Sequence, residues 1–160
     1  MRDKIKTVQE LRRLLAILRA AGEKVVFTNG CFDILHTGHT RYLEKSRSFG
    51  DVLVVAVNSD ASVRMIKGEK RPINSEAERM ETLAALECVD FVTLFNEPDP
   101  YRIISELQPD VLVKGGDWTI EKIIGREVVE ARGGKVVNVP YIEGSSTTGI
   151  IEKILKTHGR

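Results

Sequence analysis

"VVFTNGCFDILHTGHTRYL", residues 25–43, decides the fold. It opens on a short apolar, β-branched run that reads as a strand. A polar, glycine-containing turn follows. A helical pattern then occupies residues 37–48 and ends near Gly50. His36 and His39 flank Gly38, and they are two of only three histidines in the chain. If the helix begins near His36, the imidazoles stand at i and i+3 and face the same way. A helix N-terminus adds free backbone N–H groups and a positive dipole end. The combination describes a phosphate site with two imidazole donors aimed into it. Gly38 leaves room for a phosphate or a flat base to approach the backbone.

Outward from that segment, strands and helices alternate. Residues 7–22 predict an amphipathic helix, with Thr7 and Glu10 spaced as a capping box and Gly22 as its stop. Strands are predicted at 24–30, 51–60, 89–95, 109–116 and 135–140, and the intervening helices at 37–48, 75–87, 99–108 and 119–134. Ser75 and Glu78 are spaced as a second capping box, and a last helix is expected over 145–158. Residues 64–75, "RMIKGEKRPINS", carry charges, Gly68 and Pro72 without an apolar period, and read as a mobile loop. The alternation predicts an α/β fold: a Rossmann-like, doubly wound, five-stranded parallel sheet with helices on both faces. The whole chain, residues 1–160, is expected to form one domain, with residues 1–21 as an extra N-terminal helix. In such folds ligands bind outside the carboxyl ends of the strands, and those ends here are polar or glycine-rich.

Composition narrows the function. The net charge of +1 offers no bulk attraction to nucleic acid or to an anionic membrane. The apolar runs are too short to span a bilayer, and "MRDKIKTVQE" has no apolar core of a secretory signal. Cys31 and Cys88 are too few for a disulfide framework and fit a reducing cytoplasm. The histidines as a zinc pair find little support: zinc takes three or four protein ligands, and His158 lies far away at the C-terminus. No GxGxxG fingerprint is present, and "GSSTTGII" lacks the Lys-Ser/Thr of a P-loop. Its hydroxyls at Ser145, Ser146 and Thr147, at a helix start, suit capping or phosphate binding.

"GCFDILHTGH" resembles the G-x-F-D-x-x-H-x-G-H signature of the nucleotidylyltransferase superfamily, which includes the cytidylyltransferases. "EGSSTTGII", "KGGDW" and "SEAER" resemble further segments of that family, so the likeness runs from about Gly22 to about Leu155. Four stretches, "VVFTNGCFDILHTGH", "VAVNSDASV", "KGEKRPIN" and "LVKGGD", are similar to the adenylyltransferase domain of bacterial ADP-heptose synthases. In many bacteria that domain is fused to a sugar kinase. The chain is therefore expected to be a stand-alone form working with a separate heptose 7-phosphate kinase.

The resemblance implies transfer of AMP from ATP to D-glycero-β-D-manno-heptose 1-phosphate, with release of pyrophosphate, for lipopolysaccharide core or other surface-sugar biosynthesis. It implies His36, His39 and Lys67 as catalytic residues. Thr28, Asn29, Gly30, Phe32, Asp33 and Gly38 would line the nucleotide site, with Lys70 and Arg71 on the outer phosphates and Arg79 on the nucleotide. Lys114, Gly115, Asp117, Ser145, Ser146 and Thr147 complete that set. ATP is the implied nucleotide and Mg²⁺ its companion, with Asp33 a possible ligand directly or through water. Trp118 is expected beside the site, and Lys45 and Arg47 on a solvated helix face. A cytoplasmic homodimer with no nucleic-acid or membrane partner is expected. The other reading is a glycerol-3-phosphate or similar small alcohol-phosphate cytidylyltransferase. The cytidylyltransferases carry an arginine shortly before the hydroxyl motif, where this chain has "PYIEG".

Overall fold

A computed structural model describes residues 1–116, 118–140 and 146–159. Five parallel strands, β1 (Val25–Gly30), β2 (Val52–Asn58), β3 (Phe91–Phe95), β4 (Val111–Gly115) and β5 (Lys135–Val139), form one sheet in the order β3-β2-β1-β4-β5. The helices are α1 (Val8–Ala20), α2 (Thr37–Arg47), α3 (Asp60–Lys67), α4 (Glu76–Ala84), α5 (Tyr101–Leu107), α6 (Arg126–Glu130) and α7 (Thr147–His158). The chain winds outward from β1 to β3, then returns to β4 on the other side of β1. The switch point therefore lies between β1 and β4.

Each sheet face has its own core. Leu11, Leu15, Phe27, Val54, Ile104, Leu107 and Val129 pack on one face, beneath α1, α5 and α6. Val26, Leu43, Val55, Val57, Leu83 and Val113 pack on the other, beneath α2 and α4. The N-terminal helix is thus part of the core rather than an appendage: Leu11 and Leu15 are fully buried. Both capping boxes form as their spacing predicts, at Thr7 with Glu10 and at Ser75 with Glu78. Among the described residues no helix is long and apolar enough to cross a membrane.

Two elements depart from expectation. The segment read as a loop from residue 64 is helical up to Lys67, so Arg64 and Lys67 stand on α3. Ser59 caps that helix by accepting from the Ser62 N–H, and buried Val63 anchors it. Its charges hide a single turn-spaced apolar contact. The helix expected over 119–134 is instead a 3-10 turn at Ile120–Lys122 and the short α6. Gly125 breaks it with a φ of +87°, a left-handed conformation that a continuous helix cannot contain. A Cβ there would lie 2.7 Å from the Ile104 side chain, so the break also lets the chain pass close over α5.

The strands part where the site is expected. β1 pairs with β2 along its whole length, Val25↔Val52 through Gly30↔Val57. With β4 it pairs only at Val26↔Val111 and Phe27↔Leu112. Beyond them the Tyr42 hydroxyl stands between the strands, 2.6 Å from Thr28 Oγ1 and donating to the Val113 carbonyl at 3.2 Å. The carboxyl ends of β1 and β4 thus flank a crevice.

Candidate active site

The turn between β1 and α2 is strained. Phe32 and Ile34 both adopt left-handed backbone, with φ of 49° and 50°, which residues with a Cβ rarely occupy. Between them Asp33 is buried, and its carboxylate holds a neighbouring segment. It accepts from Arg71 Nε at 2.8 Å, Ile73 N–H at 2.8 Å and Asn74 N–H at 2.9 Å. Burial pushes the Asp33 carboxyl up, but the Asn74 and Ile73 N–H groups and Arg71 outweigh it and hold it below the ordinary range. The Asp33 carbonyl meanwhile accepts from Thr147 Oγ1 at 2.7 Å, tying the start of α7 to the same turn. Asp33 therefore joins the histidine segment, the basic loop and α7.

Arg79 is the second clamp. Its side chain is fully buried, and its guanidinium donates to the carbonyls of Cys31 (2.6 Å), Asn58 (2.8 Å) and Asn74 (3.1 Å) and to Asp60 Oδ1 (2.8 Å). It fastens the ends of β1 and β2 to the turn before α4. Arg79, expected on the nucleotide, has four of its five donors on protein oxygens. Arg71, expected on the outer phosphates, is likewise engaged by Asp33. Arg47 is not on a free face either: its Nε pairs with Asp90 at 2.9 Å. Lys67 and Lys70 are exposed.

His36 is the N-cap residue of α2, and its side chain makes no capping hydrogen bond. Of the described helices with eight or more residues, α2 alone lacks a side-chain cap; Thr7, Ser59, Ser75 and Ser146 cap the others. The His39 N–H donates to the His36 carbonyl at 2.9 Å, and the positive dipole end of α2 lies beside the two imidazoles. The two imidazoles stack with centroids 3.9 Å apart and planes at 29°, and Phe32 lies edge-tilted 5.6 Å from His39. Both Nδ1 atoms are buried without a partner among the described residues. Burial lowers the His36 pKa. Burial, with the neighbouring His36, lowers that of His39 to about 4. At neutral pH the pair is uncharged, able to donate a hydrogen bond without adding fixed charge.

Gly30 and Gly115 end the two strands that flank the crevice. A Cβ at Gly30 would meet the Phe32 ring at 3.0 Å, and one at Gly115 the Tyr42 ring at 3.1 Å. Thr28 is engaged by Tyr42, and Asn29 and Lys114 come within 3.5 Å of each other. Ser146 caps α7 by accepting from the Gly149 N–H at 3.0 Å. Trp118 is exposed, and its carbonyl accepts from Asn138 Nδ2. Asp117 and Ser145 lie outside the described residues. No trio of His, Cys, Asp or Glu among the described residues could hold a metal ion, and Asp33 is occupied by three protein donors. The described residues do not supply a protein cage for Mg²⁺. Asn138 was not foreseen; its partner strand is not readable from local sequence.

A family model described as cytidylyltransferase-like matches residues 27–153. The chain is 55% identical over 156 residues to the bifunctional protein HldE of Geobacter sulfurreducens, and 56% identical over 156 residues to that of Citrifermentans bemidjiense. Each alignment covers 98% of this chain but 32% of the relative, so the chain spans about a third of the length of these curated proteins. A lipopolysaccharide core biosynthesis protein from Thermoplasma volcanium superposes with a TM-score of 0.62 at 33% identity, covering 78% of this chain and 100% of that one. A pantoate-beta-alanine ligase from Francisella tularensis shares the fold, with a TM-score of 0.62 at 16% identity over 95% of this chain and 77% of its own.

The His39 shift fixes a pH dependence. Its folded pKa lies below the ordinary histidine value, so the unfolded chain binds the proton more readily. The stability this neutral form contributes is complete above about pH 6.5 and is lost as pH falls towards about 4. Urea unfolding of His39→Gln should show a shallower loss across that window than the unsubstituted chain; identical slopes would contradict the assignment. Arg79→Leu should lower stability by about 3–5 kcal/mol, since it strands an acidic partner and three carbonyls. Arg79→Lys should recover only part of that, because an ammonium lacks the guanidinium fork. An unchanged unfolding midpoint in Arg79→Leu would contradict the clamp.

Proposed function

We propose that this chain, which belongs to the cytidylyltransferase-like family, transfers AMP from ATP to a sugar 1-phosphate. The acceptor best supported is D-glycero-β-D-manno-heptose 1-phosphate, and the products are ADP-heptose and pyrophosphate. The observation that carries the reading is the pair of stacked, uncharged imidazoles at the start of α2, beside the switch-point crevice. The HldE relatives and the lipopolysaccharide core protein support the choice of acceptor.

In this reading an acceptor phosphate oxygen attacks the α-phosphorus of ATP. The new bond is O–Pα, the bond broken joins Pα to the bridging oxygen, and the electron pair leaves on pyrophosphate. No protein nucleophile takes part. His36 and His39, at the positive dipole end of α2, hydrogen-bond oxygens on which charge grows in the transition state. Their neutrality matters because a fixed cation there would bind ground-state phosphate as strongly as the transition state. Lys67 and Lys70 approach the outer phosphates. Mg²⁺ arrives on the triphosphate rather than in a protein cage, as it commonly does at nucleotide sites. In this reading the enzyme works in the cytoplasm as a homodimer, on an acceptor supplied by a heptose 7-phosphate kinase activity.

A panel of sugar 1-phosphates and glycerol 3-phosphate against the four nucleoside triphosphates, read by pyrophosphate release, tests this reading. ATP with the heptose 1-phosphate should be the fastest pair. Fastest release from CTP with glycerol 3-phosphate would establish the cytidylyltransferase alternative instead. His36→Ala and His39→Ala should each reduce turnover by about 100-fold or more while the fold survives. Near-normal turnover in both would remove the histidines from the chemistry. Neutralising Lys67 and Lys70 together should weaken ATP binding more than AMP binding, measured by calorimetry. Equal weakening would take them off the outer phosphates.

A further inference from the structure

One polar row crosses the sheet near its carboxyl edge, on the face opposite α2. Lys114 and Asn138 are register partners on β4 and β5. Continuing the β1–β4 register by two residues brings Asn29 opposite Lys114, and the Lys114 Nζ indeed lies 3.5 Å from Asn29 Oδ1. All three share the face that buries Phe27, Leu112 and Val136, since side chains alternate along a strand. The histidine helix packs on the other face, with Leu43 against Val26 and Val55. The two sets of polar groups therefore approach the crevice between β1 and β4 from opposite sides.

The row is under-used by the protein itself. An ammonium has three donors, yet among the described residues Lys114 makes a single bond at the outer limit of hydrogen-bond length. Asn138 donates to the Trp118 carbonyl at 2.6 Å, while its buried Oδ1 has no partner among the described residues. Buried polar groups left unpaired cost stability unless something else satisfies them. Lys67, at the end of α3, acts electrostatically on Lys114 and on Cys31. Burial, with Lys67 adding to it, lowers the Lys114 pKa. An anion placed between these two lysines would relieve both effects. The sequence resemblance placed Lys114 with the nucleotide; its face of the sheet separates it from the histidine helix.

We propose that Lys114, Asn29 and Asn138 form the acceptor subsite, in which the ammonium takes the phosphate monoester and the two amides take sugar hydroxyls. The proposal rests on the adenylyltransferase reading above and names which side of the crevice holds the second substrate. Attack on the α-phosphorus then comes from the Lys114 face, while the histidines act from the α2 face. Specificity for the sugar resides in Asn29 and Asn138, and Trp118 is held beside them by Asn138.

The test compares the two substrates in variants at one position. Lys114→Met should raise KM for heptose 1-phosphate by more than tenfold and leave the Kd for ATP, by calorimetry, within about twofold. Lys114→Arg should restore much of the acceptor affinity, because it keeps the charge. Asn138→Asp offers an internal carboxylate to Lys114 and should also raise the acceptor KM with ATP binding intact. It serves in place of Lys114→Met if that variant does not fold. Loss of ATP affinity equal to the loss of acceptor affinity would overturn the proposal, as would an unchanged acceptor KM in these variants. The unsubstituted chain is measured alongside: if it turns over no sugar 1-phosphate with ATP, the functional reading itself fails. If it does so and the variants keep their acceptor KM, only the subsite assignment fails.

Discussion

The site depends on the buried guanidinium of Arg79. One side chain holds the carbonyl that follows β1, the carbonyl that ends β2, and the turn that leads into α4. An arginine suits this place because its planar fork presents several donors in fixed directions and stays charged when buried. Without it, three backbone oxygens at the carboxyl edge of the sheet would lose their donors. With the Cys31 carbonyl fixed, the chain can sustain two departures into left-handed backbone, at Phe32 and Ile34. Strain of this kind persists only where the surroundings over-determine the backbone. Asp33, between the two, provides the other half of that constraint by gripping residues 71–74 and the start of α7.

The outcome of this scaffolding is electrostatic. The turn delivers His36 to the start of α2 without letting it cap the helix, and places His39 one turn on against His36 and Phe32. Burial keeps both rings neutral. In the proposed reaction the protein offers oriented donors and a helix dipole instead of a fixed cation at the point where phosphorus reacts. Cations come from other places, from Lys67 and Lys70 on the outer side and from Lys114 across the crevice. A transfer between two anions is well served by this separation, because the flexible charges gather the substrates and the rigid dipoles act on the transition state.

Much of the fold was legible because its signals are local. The β-branched runs, the Thr7 and Ser75 capping boxes and the alternation of strand with helix are each contained in a few residues. The histidine pair was legible for the same reason. Where sequence reasoning failed, the deciding contact was remote. The helix of residues 60–67 rests on a Ser59 cap and one buried valine among charges. The break at Gly125 reflects Ile104 passing beneath it. Arg79 and Arg71 carry the residue type of phosphate ligands, and only the structure shows the contacts each makes with protein oxygens. The neighbourhood of Asn138 and Lys114 exists only in the register of β5 on β4.

The chemical core of this account is that His36 and His39 donate hydrogen bonds and never become covalently attached to the nucleotide. Stereochemistry at the α-phosphorus decides it. With ATP made chiral at that phosphorus by sulfur substitution, a single direct displacement by the acceptor inverts the configuration in the ADP-sugar product. Complete inversion is the predicted result. Retention would mean two displacements through a nucleotidyl-histidine, and would contradict the role assigned to the pair.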